Sequence, residues 1–244
     1  MIVANWKSNG SRESIIDWFK GFNKDYQRIE RSSYIGIAPP YVYMDQVKKL
    51  CDELEISLAL GSQDIDMLSG ARTGSISIDM LCDIGGSFSI LGHSERRIIF
   101  NEKSSSIKQK IIKLEDQALS ILCIGETLEE NKVGKAKFII EKQLEVINNM
   151  NLNERFTIAY EPVWAIGTGL TPEPKEINAI HKFIKDVVQS SSANSHCPKV
   201  LYGGSVTDKN AKSFFDEEFV DGALVGGASL DGTTFAKIVN IFNG

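Results

Sequence analysis

Three side chains far apart in the sequence could together move a proton: Glu161, His93 and Lys7. A carboxylate can take a proton from carbon, an imidazole can exchange protons with oxygen, and an ammonium can stabilise the anion that forms. Glu161 lies in the stretch Ala159-Tyr160-Glu161-Pro162-Val163-Trp164-Ala165-Ile166-Gly167-Thr168-Gly169. A charged group at the mouth of a buried strand has to be paired, solvated or employed. Pro162 stiffens the entry to the loop that follows, Val163 to Ile166 could shield a ligand from water, and Gly167 and Gly169 supply adaptable backbone near the far hinge. Two further glycine turns, Gly203-Gly204-Ser205 and Gly226-Gly227, leave backbone amides bare in a way that suits a phosphate. These parts fit proton transfer beside the carbonyl of a small phosphorylated compound, under a lid that prevents elimination of the phosphate. That chemistry requires no metal or organic cofactor. Taken singly, Lys7 also reads as a surface charge, His93 as a structural histidine and Glu95 as a partner of Arg96 or Arg97.

For these groups to meet, the chain must bring strand ends to one rim. Short apolar runs recur at 2–6, 34–38, 57–60, 88–91, 120–124, 157–160, 199–202 and 222–225, each followed by a segment of helical period. Apolar runs without strict alternation suit parallel strands covered on both faces. A spacing of about 30 residues matches one strand, one covering helix and two loops. Ser11 is placed to cap a helix whose face is Ile15, Trp18, Phe19 and Phe22, and a second face runs through Ile107, Ile111, Leu114 and Ala118. The stretch 129–150 reads as one surface helix, and a short helix is expected near 79–83. Eight such units in a single domain, 1–244, favour a closed (β/α)8 barrel, in which functional groups gather at the strand exits. An open doubly wound sheet is the competing architecture, but no G-x-G-x-x-G opens a first helix.

Composition narrows the function. With 42% hydrophobic residues and a net charge of -5, the chain can bury a large core and offers no basic surface for nucleic acid. Cys51, Cys82, Cys123 and Cys197 form no C-x-x-C pair, and His93, His181 and His196 have no metal-ligand spacing. No run approaches the ~20 apolar residues of a membrane span. Met1 leads straight into Ile2-Val3-Ala4 without the basic region of a signal peptide, so a cytoplasmic location is expected.

Six motifs then line up in order: Asn5-Trp6-Lys7, Ile90 through Arg97, Cys123-Ile124-Gly125-Glu126-Thr127, Ala159 through Gly169, Tyr202-Gly203-Gly204-Ser205-Val206 and Leu224 through Ala228. Together they resemble the triosephosphate isomerases over essentially the whole chain. The resemblance implies a (β/α)8 barrel that interconverts dihydroxyacetone phosphate and D-glyceraldehyde 3-phosphate through an enediolate, in glycolysis and gluconeogenesis, with a link to the pentose phosphate pathway. It implies no cofactor and no metal. It makes Glu161 the base and His93 a neutral imidazole at the start of a short helix. Lys7 and Asn5 become substrate contacts, Glu95 orients Lys7 and Ser94 holds Glu161 when the lid is open. Phosphate is met by Gly167, Ser205, Gly226 and Gly227. The lid, about 162–172, is latched by Tyr202 and Ser205, with Glu126 against Trp164. The resemblance also implies a homodimer in which the loop at about 63–78, with Thr73 at its tip, docks beside the partner subunit's active site.

The chain departs from the family pattern outside the catalytic set. Ser75 stands where an acidic residue commonly pairs with the arginine at Arg96, which leaves Glu102 as the acid available to that arginine. Leu170-Thr171-Pro172 forms the far hinge where a lysine is frequent, and Ser8 replaces a larger apolar residue. Alternatives outside this family are another phosphate-binding barrel, such as an isomerase of histidine or tryptophan synthesis, and a non-catalytic sensor or adhesion protein on the same fold.

Overall fold

A computed structural model describes residues 1–27, 33–166 and 171–244. It is a closed barrel of eight parallel strands in sequence order, with β1 paired to both β2 and β8. In chain order the elements are β1 Ile2–Asn5, α1 Arg12–Asp25, β2 Ile35–Ala38, α2 Met44–Glu53, β3 Ala59–Ser62, α3 Ile78–Asp83, β4 Gly86–Leu91, α4 Ser94–Ile99 and α5 Ser104–Leu114. They continue with β5 Leu119–Ile124, α6 Leu128–Lys132, α7 Ala136–Leu144, β6 Phe156–Tyr160, α8 Pro174–Ser191, β7 Lys199–Tyr202, α9 Ala211–Phe215, β8 Ala223–Val225 and α10 Gly232–Asn243.

The strands are apolar throughout because their pleat feeds two different cores. Val3, Ile90, Ile121, Cys123, Ala159, Leu201 and Leu224 fill the barrel interior. Their neighbours Ile2, Ala4, Leu91, Leu122, Ile158, Val200 and Val225 pack outward under the helices. This parity carries to the strand ends and just beyond them. Asn5, Glu161 and Gly203 continue the inward rows, whereas Glu126 and Tyr202 continue the outward ones.

Ser11 caps α1 with Ser14 as its reciprocal partner, and Ile15, Trp18, Phe19 and Phe22 are buried as expected. Two expectations need correction. The third strand runs two residues later than 57–60, because the ladder is set by β4: Gly61 pairs with Phe88 and Ser62 with Ser89, and the Phe88 ring fills the space a side chain at Gly61 would need. The stretch 129–150 is not one helix. Thr127 and Glu130 form a capping box on α6, which ends at Lys132, and Gly134, at φ +70, interrupts the helical path before α7 begins.

His181 of α8 is fully buried, with Nδ1 3.2 Å from the Phe219 carbonyl and its ring edge-on to Tyr160. Burial pulls its pKa down to about 3. The unfolded chain therefore takes up a proton near pH 6.5 that the folded one refuses, so stability is full above that value and falls as pH drops towards 3. About 2 kcal/mol should be lost by pH 5 from this group alone. Denaturant unfolding at pH 7 and pH 5 checks this: His181→Phe should flatten the difference, and an unchanged slope would refute it.

Candidate active site

The strand exits surround a cavity of about 350 Å³ bordered by Asn5, Lys7, His93, Glu161, Ser205, Gly226 and Gly227. Glu161 follows β6 on the inward row and is only 2% exposed. Its Oε1 stands 3.1 Å from His93 Nε2, and its Oε2 accepts the Ser94 backbone N–H at 3.2 Å. Gly203 makes room for it, since a Cβ there would come within 2.7 Å of Glu161 Cγ. Burial alone would raise this carboxyl's pKa, but His93 and the Ser94 amide outweigh burial and lower it.

His93 caps α4, with Nδ1 accepting the Glu95 N–H at 3.2 Å. That bond leaves the ring proton on Nε2, facing Glu161. Burial disfavours the imidazolium, and the Glu161 carboxylate more than offsets it, so the pKa lies above the ordinary value while the two are in contact. The Nδ1 bond is one that only the neutral ring can accept, since protonating Nδ1 would set two N–H groups against each other.

Lys7 takes a left-handed backbone, φ 51, which costs a non-glycine residue about 1–2 kcal/mol. Its N–H donates to Asn5 Oδ1 at 3.0 Å and its ammonium to Glu95 Oε1 at 2.6 Å. Gln63, which the motifs did not single out, donates from one amide nitrogen to Lys7 O and Ala38 O, at 2.8 and 2.9 Å. The first residue of the expected docking loop thus fixes the strained Lys7 peptide.

The glycine turn after β8 is equally well held. Ser229 O accepts both Trp6 Nε1 and Trp18 Nε1, at 3.2 and 2.8 Å, and Ser229 Oγ donates to Gly226 O at 2.7 Å. Ser205 Oγ donates to Ala165 O at 2.6 Å, tying the β7 turn to the start of the expected lid. Tyr202 points outward onto Phe214, and its hydroxyl has no hydrogen-bond partner among the described residues. Glu126 is buried on the outward row and accepts bonds from Trp164 Nε1, Tyr160 Oη and Asn131 Nδ2. Tyr160 and Asn131 were not expected there, although Tyr160 shares its parity with Glu126. Gly167 and Leu170 lie outside the described residues.

Thr73 is exposed at the tip of its loop. Beneath it Asp66 accepts from Ser75 Oγ at 2.5 Å, Arg72 Nε at 2.7 Å and Leu68 N at 3.1 Å. Desolvation works against the ionised form, but these bonds hold the Asp66 carboxyl down to about 2. Arg96 has two acids within its own chain, Asp64 at 2.8 Å and Glu102 at 3.5 Å, and Lys110 pairs with both of these acids. Glu102 therefore reaches Arg96, as expected, but Asp64 is the nearer partner. No helix among the described residues is long and apolar enough to cross a membrane.

A family model described as triosephosphate isomerase matches residues 1–242. Proteins named triosephosphate isomerase from Erwinia tasmaniensis, Serratia proteamaculans and Photorhabdus laumondii are each 41% identical over 245 aligned positions, covering 98% of this chain and 95% of theirs.

Proposed function

The chain belongs to the triosephosphate isomerase family, and we propose that Glu161, His93 and Lys7 run that family's reaction in the cavity described above. The substrate is a triose phosphate, and the reaction interconverts dihydroxyacetone phosphate and D-glyceraldehyde 3-phosphate. The observation that carries this reading is the contact between Glu161 and His93 at 3.1 Å, on a rim shared with Lys7 and two glycine turns. Glu161 moves the proton between adjacent carbons. His93 donates from Nε2 to the substrate oxygen, and Asn5 contacts the same region. When Glu161 turns to the substrate, the carboxylate that raised the His93 pKa withdraws while burial remains, so the ring stays neutral. Lys7, oriented by Glu95, balances the enediolate charge. Ser94 holds Glu161 in its resting position. The phosphate takes amides of Ser205, Gly226 and Gly227, joined by Gly167, and the lid closes over it with support from Trp164, Glu126, Tyr202 and Ser205. A coupled assay of glyceraldehyde 3-phosphate conversion tests the reading: rapid turnover without added metal or cofactor supports it, and a folded protein with no turnover refutes it.

The enzyme is a cytoplasmic homodimer in this reading. Ile98, Ile99 and Phe100 are 62%, 68% and 65% exposed beside Arg96, an apolar patch suited to a second copy. The four free cysteines fit a reducing compartment. Arg72→Glu together with Thr73→Glu places a like charge beside Asp66 and an unpaired one at the docking tip. Sedimentation should show monomers, and turnover should fall about 100-fold as Lys7 loses its support. Full activity in demonstrated monomers would overturn the docking argument.

A further inference from the structure

At the end of β5, residues 124–126 form the template on which the base segment lies. Glu161 N–H donates to Ile124 O at 2.7 Å, and Val163 N–H donates to Glu126 O at 3.0 Å. Between these bonds Gly125 approaches so closely that a Cβ would stand 1.8 Å from the Glu161 carbonyl oxygen. In a parallel ladder alternate residues direct their peptide groups to opposite neighbours, so those of Gly125 face the β4 side. Among the described residues no strand remains there to receive them. The last β4–β5 pair is Leu91 with Leu122, and the chain turns away at Gly92, φ 64.

A side chain takes the place of the missing strand. Gln143, in the last turn of α7, accepts the Gly125 N–H through Oε1 at 2.8 Å and donates from Nε2 to Gly125 O at 3.0 Å. Buried Ile140 and Leu144 fix that turn of the helix. A primary carboxamide offers the same donor and acceptor as a peptide unit, so one residue completes the ladder. A cavity of about 140 Å³ lies alongside, bordered by Arg97, Cys123, Gly125, Gln143 and Glu161. Without the carboxamide, water entering that cavity would satisfy Gly125 but would not fix its position.

We propose that Gln143 is a positioning residue for the reaction: it clamps Gly125, and through Gly125 sets the backbone from which Glu161 reaches the substrate. The proposal rests on Glu161 being the base. Gln143→Met keeps the length and loses both hydrogen bonds. It should lower kcat about 10- to 100-fold, as small displacements of a reacting group do, with KM within about twofold of wild type. Gln143→Glu gives a second readout. Ionised, its carboxylate repels the Gly125 carbonyl; protonated, it can both accept and donate. Its kcat relative to wild type should therefore rise as pH falls through that group's titration, which a packing role would not produce. Glu161→Asp is measured alone and combined with Gln143→Met. Both changes misplace one carboxylate, so their losses should combine to less than the product. Wild-type kcat in Gln143→Met, a pH-independent ratio for Gln143→Glu, or fully multiplicative losses would each overturn the clamp. An unimpaired Glu161→Asp would instead overturn the assignment of the base.

Discussion

Glu161→Asp should bind substrate normally and turn it over at least about 100-fold more slowly. The change withdraws the carboxylate by one methylene from a site whose geometry is tightly set. Gly203 closes on Glu161 Cγ from one side and His93 bounds the carboxylate on the other, so the backbone has little freedom to follow the shortened side chain. Because Lys7 and the proposed phosphate-binding turns lie elsewhere on the rim, KM should change little. Glu161→Gln goes further by removing the base, for a loss of about 10²–10⁴-fold. Steady-state kinetics in both directions measure both variants, and wild-type turnover by either one would remove Glu161 from its role. The pH profile adds a sign. The carboxyl must be ionised to act, and its pKa is lowered despite burial, by His93 first. The acid limb of kcat/KM should therefore lie below the ordinary carboxylate range. His93→Gln removes the main opposing influence and should move that limb upward.

The strand ends were legible in the sequence because the groups on them are chemically unusual for their surroundings: a carboxylate after an apolar run, or paired glycines where a helix should begin. The closed barrel was legible from eight apolar runs at regular spacing. Which side chain faced which core was not, since both faces are apolar and only the parity of Val3, Cys123 or Ala159 in three dimensions separates them. The third strand slipped by two residues for a related reason. Gly61 and Ser62 look like a turn, yet they belong to the ladder because Phe88 fills the room they leave. The side chains that support the site were the least visible. Gln63 meets the Lys7 peptide across 56 residues of chain and Tyr160 meets Glu126 across 34. An amide or hydroxyl carries no local signal of such partners. Gln143 was hidden further, because the run around it read as one surface helix until Gly134 divided it.

Lys7→Gly is expected to separate stability from activity at one position. Lys7 holds φ 51, a conformation that costs a side-chain-bearing residue about 1–2 kcal/mol and glycine almost nothing. Against that relief stand the greater freedom of glycine in the unfolded chain, about 0.5–1 kcal/mol, and the loss of the Glu95 ion pair. The pair is close at 2.6 Å, but its side chains are 26% and 45% exposed, so solvent screening leaves it worth no more than about 1 kcal/mol. These contributions nearly cancel, and the thermal midpoint should stay within a few degrees of wild type. Activity has no such compensation. Lys7 is the one lysine or arginine among the described residues that lines the cavity, and an anionic intermediate formed in a water-excluded site loses about 10²–10³-fold when one such partner is removed. kcat/KM should fall by that factor, with KM rising because the substrate is itself an anion. Glu95→Gln supplies the contrast: Lys7 keeps its ammonium, Asn5 and Gln63 still hold its backbone, and the loss should be no more than about tenfold. A variant Lys7→Gly that stays folded with less than a tenfold loss would overturn the proposed role of the ammonium and leave the strain at Lys7 to serve the Gln63 contact instead of the chemistry.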